Sequence, residues 1–471
     1  MKWHIDQISK WTKAQILSDK YSEFDEIATD TRKNMQGQIF IALKGDAYDA
    51  HQFLDQAVQK GAHALIVHEL PPKFEHLKEK VSILLVRDTL LALQDFAGQY
   101  RKTLSAKIIG ITGSNGKTTT KEFTAQILSQ YKKTHYSQGS FNNHWGVPMT
   151  LLSIPQDAEF AVVEMGMNHA GEITELVKIA EPDIVVCTMV GSAHLEFFGS
   201  LENIAKAKSE IYLESKAEAI RIFNQDQDLT FDMMYPVTRK YPESRMLSFS
   251  EHNREADVFF KIEVLRMKEI QISGIIAAEP GRATVGVFGK HNLTNLMAAA
   301  NVAYACRLAP EKIWAALAHC KTAWGRNQFI DTTIGAEILF DGYNANPDSM
   351  NALLENIPLL QCTGNKIGVF GQMKELGAGA VEAHIELGLQ AGSAGFSEIF
   401  FIGENHADFA EGLKQAGFAA QKNIEPAFSM ELGKKLGQSL KKGDLLVIKG
   451  SRGAGTERFI PFCSPKNWAA K

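Results

Sequence analysis

The chain has 471 residues, of which 45% are hydrophobic and 22% charged, and carries a formal net charge of −4. This is ordinary globular composition, long enough for roughly three domains of about 150 residues that each bury a core. Its charges are spread out and nearly balanced, which excludes a basic nucleic-acid stripe and a field that would hold the protein to an anionic membrane.

From the N-terminus, Gln38 to Leu43 (QIFIAL) reads as a short buried strand ended by Lys44-Gly45-Asp46. Ala50 to Lys60 places Phe53, Leu54, Ala57 and Val58 on one helical face. A second strand-like run, Val81 to Val86, leads into a helical stretch from Thr89 to about Leu104. A new block opens at Lys107. Ile108 to Thr112 reads as a buried strand, followed by a glycine-rich turn and a helix with Phe123, Ile127, Leu128 and Tyr131 on one face. Phe160 to Glu164, Ile184 to Val190 and Ala219 to Phe223 are further strand candidates. The polar stretch from about 225 to 285 gives no clear assignment, and a helix is expected from about His291 to Leu308. After Trp324-Gly325-Arg326 the pattern restarts, with short apolar runs at Ile338 to Asp341, Ile367 to Phe370, Ile399 to Ile402 and Leu445 to Ile448. Glycine lies just past three of them, at Gly371, Gly403 and Gly450. Strands alternating with helices predict parallel, doubly wound sheets. The expected fold class is α/β in three domains in series, at residues 1–104, 105–322 and 323–471.

Met1-Lys2-Trp3-His4-Ile5-Asp6 lacks the apolar stretch of a signal peptide. No run approaches the ~20 apolar residues that span a bilayer. The five cysteines, Cys187, Cys306, Cys320, Cys362 and Cys463, are odd in number and make no CxxC pair. Neither a disulfide framework nor a zinc knuckle is expected, and the chain reads as a reduced, cytoplasmic protein.

The strongest local signal is Thr112-Gly113-Ser114-Asn115-Gly116-Lys117-Thr118, between a strand and a helix. Backbone N–H groups in such a loop, with a helix N-terminus behind them, suit phosphate oxygens. Lys117 would reach the β/γ-phosphates of a nucleoside triphosphate and the Thr118 hydroxyl would ligate Mg²⁺. The common pattern has its first glycine where this chain has Ile111. Three other residues are ambiguous when read alone. Glu164, ending a buried strand, is either a metal ligand or a solvated strand-end carboxylate. His194, in Gly191-Ser192-Ala193-His194-Leu195-Glu196, reads as structural. Lys208, in a helical stretch, reads as a solvated lysine.

Taken in order, TGSNGKT, Glu164, AHLE at 193–196, AKAKSE at 205–210, GKHN at 289–292, Gly325-Arg326 and DGYNANP at 341–347 resemble the Mur ligases, which build the peptide stem of peptidoglycan. Asp30-Thr31-Arg32 and Ala42-Leu43-Lys44-Gly45 are similar to that family's UDP-sugar domain. Glu164-Met165-Gly166-Met167-Asn168-His169 with Gly171-Glu172-Ile173, Tyr343-Asn344-Ala345-Asn346 and Gly371-Gln372-Met373-Lys374-Glu375-Leu376-Gly377 resemble the branch that adds D-alanyl-D-alanine to UDP-N-acetylmuramoyl-tripeptide.

The resemblance covers essentially the whole chain. It implies a small α/β UDP-precursor domain, a central P-loop ATPase-like domain with a parallel sheet, and a C-terminal Rossmann-like ligase domain. It implies ATP contacts from Gly113, Ser114, Asn115, Gly116, Lys117 and Thr118, with Asn292 at the adenine end and Arg326 and Asp341 at phosphate and ribose. Thr118, Glu164 and His194 would hold Mg²⁺, joined by Lys208 if it carries a carbamate. Thr31, Arg32 and Lys44 would meet the uridine-diphosphate end, and Asn142 and Asn143 the rest of the precursor. Asn344, Asn346, Lys449, Ser451 and Arg452 stand on loops where either the dipeptide or ordinary turn chemistry would explain them. Gly342 stands where the family pattern has serine. The implied reaction forms an acyl phosphate and ADP, then an amide, in a monomer whose C-terminal domain closes over the central one. Rival readings are a folylpolyglutamate synthase-like ligase and a P-loop kinase or regulatory NTPase. A dinucleotide oxidoreductase is disfavoured because no GxGxxG follows the C-terminal strands.

Overall fold

A computed structural model describes residues 3–45 and 48–469. Asp46, which the sequence reading used to end the first strand, lies outside the described residues. The chain forms two compact units: residues 1–110, 132–185 and 210–219 make the first, and residues 111–131, 186–209 and 220–471 the second.

In the first unit, a five-stranded sheet has the spatial order Gln15–Ser18, Ser82–Leu85, Ala64–Val67, Ile39–Ile41, Ile27–Ala28. Every pair in it is parallel except the first. The central strands Ile39–Ile41 and Ala64–Val67 are buried at every residue, as strands covered on both faces must be. Met35, Leu54, Leu65, Phe74 and Ile83 belong to the core beside this sheet. Helix Thr89–Arg101 starts on Asp88, whose carboxylate accepts from the N–H groups of Leu90 and Leu91 and so satisfies two donors that the helix start would leave bare. Strands Thr134–Tyr136 and Phe160–Glu164 pair in parallel in the same unit.

The second unit begins inside strand Lys107–Thr112, at Ile111, and carries the helix Lys117–Ser129. That helix packs against Asn292–Ala305, a helix buried on nearly every side, including Leu293, Leu296 and Met297. Burying each such side chain contributes about 1.5–3 kcal/mol, so the helix behind the loop is firmly seated. The stretch that the sequence left unassigned contains two short helices, Asp228–Phe231 and Met234–Lys240, and strands Met246–Ser250, Val258–Leu265, Ile270–Ile276 and Glu279–Val285. The last three form an antiparallel meander with one face solvated, so their mixed polarity masked them in the sequence. Ile184–Cys187 ends three residues earlier than the run to Val190 suggested, and Tyr131 lies beyond its helix and is exposed.

The C-terminal part of this unit is a six-stranded sheet in the order Gln328–Asp331, Glu337–Asp341, Leu445–Lys449, Lys366–Gly371, Glu398–Ile402, Gln421–Glu425. Only the first pair is antiparallel. Two apolar cores involve residues of this sheet, one including Leu339, Phe370, Phe401 and Val447 and the other Ile338, Val369, Phe400 and Ile448. Alternate residues of each strand thus belong to different cores, as the two faces of a doubly wound sheet require. Asp341, Gly371 and Lys449 end their strands in the central register of the sheet, so the loops that follow emerge from one edge.

Candidate functional site

The phosphate loop is built by backbone constraint. Gly113 and Gly116 have φ of +147° and +82°, and a Cβ would strike Thr188 Oγ1 at the first and Asn295 Oδ1 at the second. Only glycine lets the chain turn there while neighbouring side chains close over it. Ser114 N–H donates to Met189 O at 2.8 Å, Ser114 Oγ to Gly191 O at 2.9 Å, and Thr188 Oγ1 to Asn115 O at 2.6 Å. Lys117 Nζ rests on the carbonyls of Gly113 at 2.7 Å and Ser114 at 3.4 Å. The Thr118 hydroxyl is buried and accepts from Arg326 Nη2 at 3.4 Å.

A cavity of about 320 Å³ opens beside this loop, lined by Asn115, Gly116 and Thr119 and by residues far away in sequence, among them His291, Asn295, Arg326 and Asp341. Arg326 stacks its guanidinium over the Tyr343 ring at 4.4 Å, a cation–π contact that fixes its plane. Asp341 accepts from the Asn327 N–H at 3.1 Å through Oδ1 and from Lys449 Nζ through Oδ2. His291 is enclosed, its Nε2 at 2.9 Å from Asn327 Nδ2, and burial pushes its pKa down to about 4. It is therefore a neutral ring at neutral pH.

Two expected contacts are placed differently. Asn292 is 1% exposed and does not line the cavity; its amide donates to Phe288 O at 2.6 Å and its carbonyl accepts from Asn295 at 3.2 Å. It ties down the helix start, and its neighbours His291 and Asn295 face the cavity instead. Lys449, expected at the dipeptide, is 2% exposed, pairs with Asp341 and lines this larger cavity. A buried carboxylate demands a partner, and the adjacent parallel strand supplies it.

A second, smaller cavity of about 190 Å³ shares the same loop. Ser114, Lys117 and His194 line it together with Asn344, Asn346, Lys374, Glu375, Ser451 and Arg452. Asn346 caps helix Pro347–Leu354 through Ser349 N–H and donates to Asn115 Oδ1 at 2.8 Å, so both turn chemistry and the cavity claim it. Ser451 Oγ accepts from Lys374 N–H at 3.1 Å. Arg452 lies over the Trp324 ring at 4.8 Å and 3.4 Å from Glu457. His194 has φ of +65° and its Nδ1 sits 2.9 Å from Glu375 Oε2, out of line for a ring N–H hydrogen bond. Proximity to His194, and secondarily to Lys117, holds the Glu375 carboxyl below the usual range against the opposing effect of burial. Gly342 has no room for the family's serine, since a Cβ there would strike the Phe340 ring.

Lys208 and Glu164 are both 1% exposed, which corrects the reading of either as solvated. Burial, then the nearby charge of Lys117, pushes the Lys208 pKa down to about 7. Glu164 Oε1 accepts from Asn142 Nδ2 at 2.8 Å, and its own N–H donates to Ser137 Oγ. Asn143 accepts from Gly146 N–H at 2.9 Å, which makes it a helix-start residue. Among the described residues no three His, Cys, Asp or Glu side chains converge as a metal cage.

The first unit contains its own large cavity, about 930 Å³, lined by Thr31, Arg32, Lys33, Tyr48, Phe141 and Trp145 among others. Thr31 donates to Gln56 at 3.0 Å, and Arg32 grips Asp30 through two hydrogen bonds of 2.9 and 2.8 Å. Lys44 is not among its lining residues and lies 3.7 Å from Asp49. No helix of the described residues is long and apolar enough to cross a membrane.

Sequence reasoning missed His291, Asn295, Lys374 and Glu375. The first two flank Asn292 at one and three positions, His291 inside the GKHN segment and Asn295 one helical turn beyond it. Lys374 and Glu375 lay inside a quoted motif, with nothing local to mark them as lining a cavity.

Residues 111–303 match the Mur ligase middle domain and residues 325–452 the Mur ligase, glutamate ligase domain. The chain is 33% identical over 462 residues to UDP-N-acetylmuramoyl-tripeptide–D-alanyl-D-alanine ligase of Bacillus subtilis, covering 98% of both chains. MurF from Acinetobacter baumannii superposes with a TM-score of 0.85 at 30% identity, again over 98% of both chains. MurF from Thermotoga maritima, solved in complex with ADP, gives 0.76 at 28% identity over 93% of this chain and 96% of that one. The chain belongs to the Mur ligase family, among the UDP-N-acetylmuramoyl-tripeptide–D-alanyl-D-alanine ligases.

Proposed function

We infer that the protein joins D-alanyl-D-alanine to UDP-N-acetylmuramoyl-tripeptide with conversion of ATP to ADP and phosphate. One observation carries this reading: a single phosphate loop walls two cavities. Asn115, Gly116 and Thr119 face the larger one, while Ser114 and Lys117 face the smaller. A nucleotide in the larger cavity would present its terminal phosphate to reactants in the smaller one.

In the first step the precursor's terminal carboxylate attacks the γ-phosphorus, forming an acyl phosphate and expelling ADP. Two anions must meet, so positive charge is the main requirement. Lys117 supplies it by leaving the carbonyls of Gly113 and Ser114 for phosphate oxygens. In the second step the dipeptide amine, having shed a proton, bonds to the acyl carbon; the carbon–oxygen bond to phosphate breaks and phosphate leaves with that electron pair. An α-amino group has a pKa near 7.7–8.0, so about a tenth is neutral at pH 7 and selecting it costs only about 1.4 kcal/mol. Orientation can contribute about 7–11 kcal/mol. Positioning therefore outweighs a dedicated base.

Taken separately, the buried Thr118 hydroxyl of the second unit and the buried Glu164 carboxylate of the first are each an oxygen donor of the kind that would hold Mg²⁺, and an ion that keeps phosphate oxygens and waters needs no all-protein cage. When bound, Mg²⁺ would neutralise charge on the transferring phosphoryl group. His194 faces the same loop through the smaller cavity. Lys208, near half neutral at pH 7, can add its amine to CO₂ and release one proton, giving a carboxylate-like group near Lys117. The large cavity of the first unit, with Thr31 and Arg32 in its wall, suits the uridine-diphosphate end.

Incubation with ATP, Mg²⁺, UDP-N-acetylmuramoyl-tripeptide and D-alanyl-D-alanine, followed by mass spectrometry of the nucleotide-sugar, tests the reading. A pentapeptide that needs both ATP and dipeptide supports it. Hydrolysis of ATP with no amide would favour the kinase or NTPase alternative.

A further inference from the structure

The charged side chains that line the smaller cavity are mostly cationic. Lys117, Lys374 and Arg452 line it, and among its described lining residues Glu375 is the one carboxylate. The incoming dipeptide is a zwitterion at neutral pH, with an ammonium at one end and a carboxylate at the other. A cavity with a single anionic side chain among several cations has one place for an ammonium and several for a carboxylate.

The backbone is bent to put Glu375 there. Glu375 has φ of +64° and follows the loop from strand Lys366–Gly371; Gly377, two residues on, has φ of +54° and sits against Glu196. A left-handed non-glycine residue costs about 1–3 kcal/mol, and such strain persists where the surroundings over-determine it. The imidazole Nδ1 of His194 stands 2.9 Å from Oε2, so this carboxylate is open to close approach by a nitrogen from the cavity side. On the same side of the loop, Lys374 extends along the backbone of Gly453, where a Cβ would stand 2.7 Å from its Nζ. The missing side chain at 453 leaves the ammonium of Lys374 room beside Arg452.

We propose that Glu375 anchors the α-ammonium of the incoming dipeptide, while Lys374 and Arg452 hold its carboxylate, so that this charge pattern selects the nucleophile. The proposal rests on the ligase reading and adds to it the groups that recognise the second substrate. Glu375 is a substrate-binding residue, not a base. It holds the amine near the acyl carbon, and the amine releases its proton to solvent before attack.

The test compares the wild-type enzyme with Glu375→Gln, which keeps size and hydrogen bonding but removes charge. Two nucleophiles are offered: D-alanyl-D-alanine, and hydroxylamine, a small neutral amine that traps the acyl phosphate as a hydroxamate without an ammonium anchor. The expected result is a KM for the dipeptide raised about 10- to 100-fold, the range for losing one charged hydrogen bond. KM for ATP and hydroxamate formation should stay within about twofold of wild type. Glu375→Asp should recover part of the dipeptide KM. An unchanged dipeptide KM in Glu375→Gln overturns the proposal. So does loss of hydroxamate in parallel with loss of pentapeptide, because Glu375 would then act in phosphoryl transfer. If wild-type enzyme forms neither product, the ligase reading itself fails.

Discussion

The two cavities on either side of the phosphate loop are built differently. The larger is walled in part by pieces that are local in sequence: a glycine turn, the start of helix Asn292–Ala305 and a strand-end aspartate. Part of its polar lining is engaged, Asp341 accepting from Asn327 and Lys449, while Asn115, His291, Arg326 and Asn327 each keep one buried polar atom without a hydrogen-bond partner. The smaller is assembled from loop residues near 114, 194, 345, 375 and 452, with left-handed residues at His194 and Glu375. A wall set on a glycine turn, a helix start and a strand end suits an invariant ligand such as a nucleotide, while a wall of charged loops suits a substrate that must be told from its relatives.

The contrast can be broken by experiment, beginning with the lysine of the loop that the two cavities share. Lys117→Ala should lower ADP formation about 10³-fold, since charge stabilisation at transferring phosphate is the dominant contribution. Retention of ADP formation would show that the loop does not set the phosphoryl chemistry. Lys208→Ala should lower turnover about 10- to 100-fold, as for groups that support a metal site, and wild-type turnover should fall in CO₂-depleted buffer. Full activity in the variant would dismiss the carbamate.

The preassembled character of the larger cavity has a pH signature. His291 is pushed down to about 4 by burial, against 6.5 in the unfolded chain. As pH falls from 6.5 towards 4 the unfolded state gains a proton that the folded ring refuses, so stability drops; below 4 both states hold it and the loss is complete. The loss should be about 2 kcal/mol, reduced from the full shift because one ring edge meets the cavity. Urea midpoints at pH 7 and pH 4 should differ less in His291→Gln than in wild type. Equal differences would mean that the ring is not held neutral. The smallest effect is expected at Gly453→Ala, where the added methyl displaces the Lys374 ammonium. The dipeptide KM should rise a few-fold, as for a surface charge contact of about 1 kcal/mol, with the KM for ATP unchanged. A matching rise in both would show that the two cavities are not separable.

Local chemistry was legible where one segment supplies both shape and function. The phosphate loop, the strand pattern of the C-terminal sheet and the buried helix near 291–305 follow from glycine placement and apolar periodicity. The meander from 258 to 285 was not legible, because an antiparallel ribbon with a solvated face lacks a continuous apolar run. Lys208 shows the limit from the other side. Its neighbours spell an ordinary charged helix, yet the fold leaves it 1% exposed near a second lysine.

By itself the sequence determined the fold class, the strand, glycine turn and helix of residues 107–129 and, through the order of its motifs, the family, because each is written in contiguous residues. Tertiary structure alone decided which polar side chains face a cavity and which are consumed by the fold: Asn292 turned inward, Lys449 spent on Asp341, and Glu375 set in the wall of the smaller cavity. Burial and partner choice depend on residues far apart in the chain, and a pattern read along one strand of sequence does not contain them.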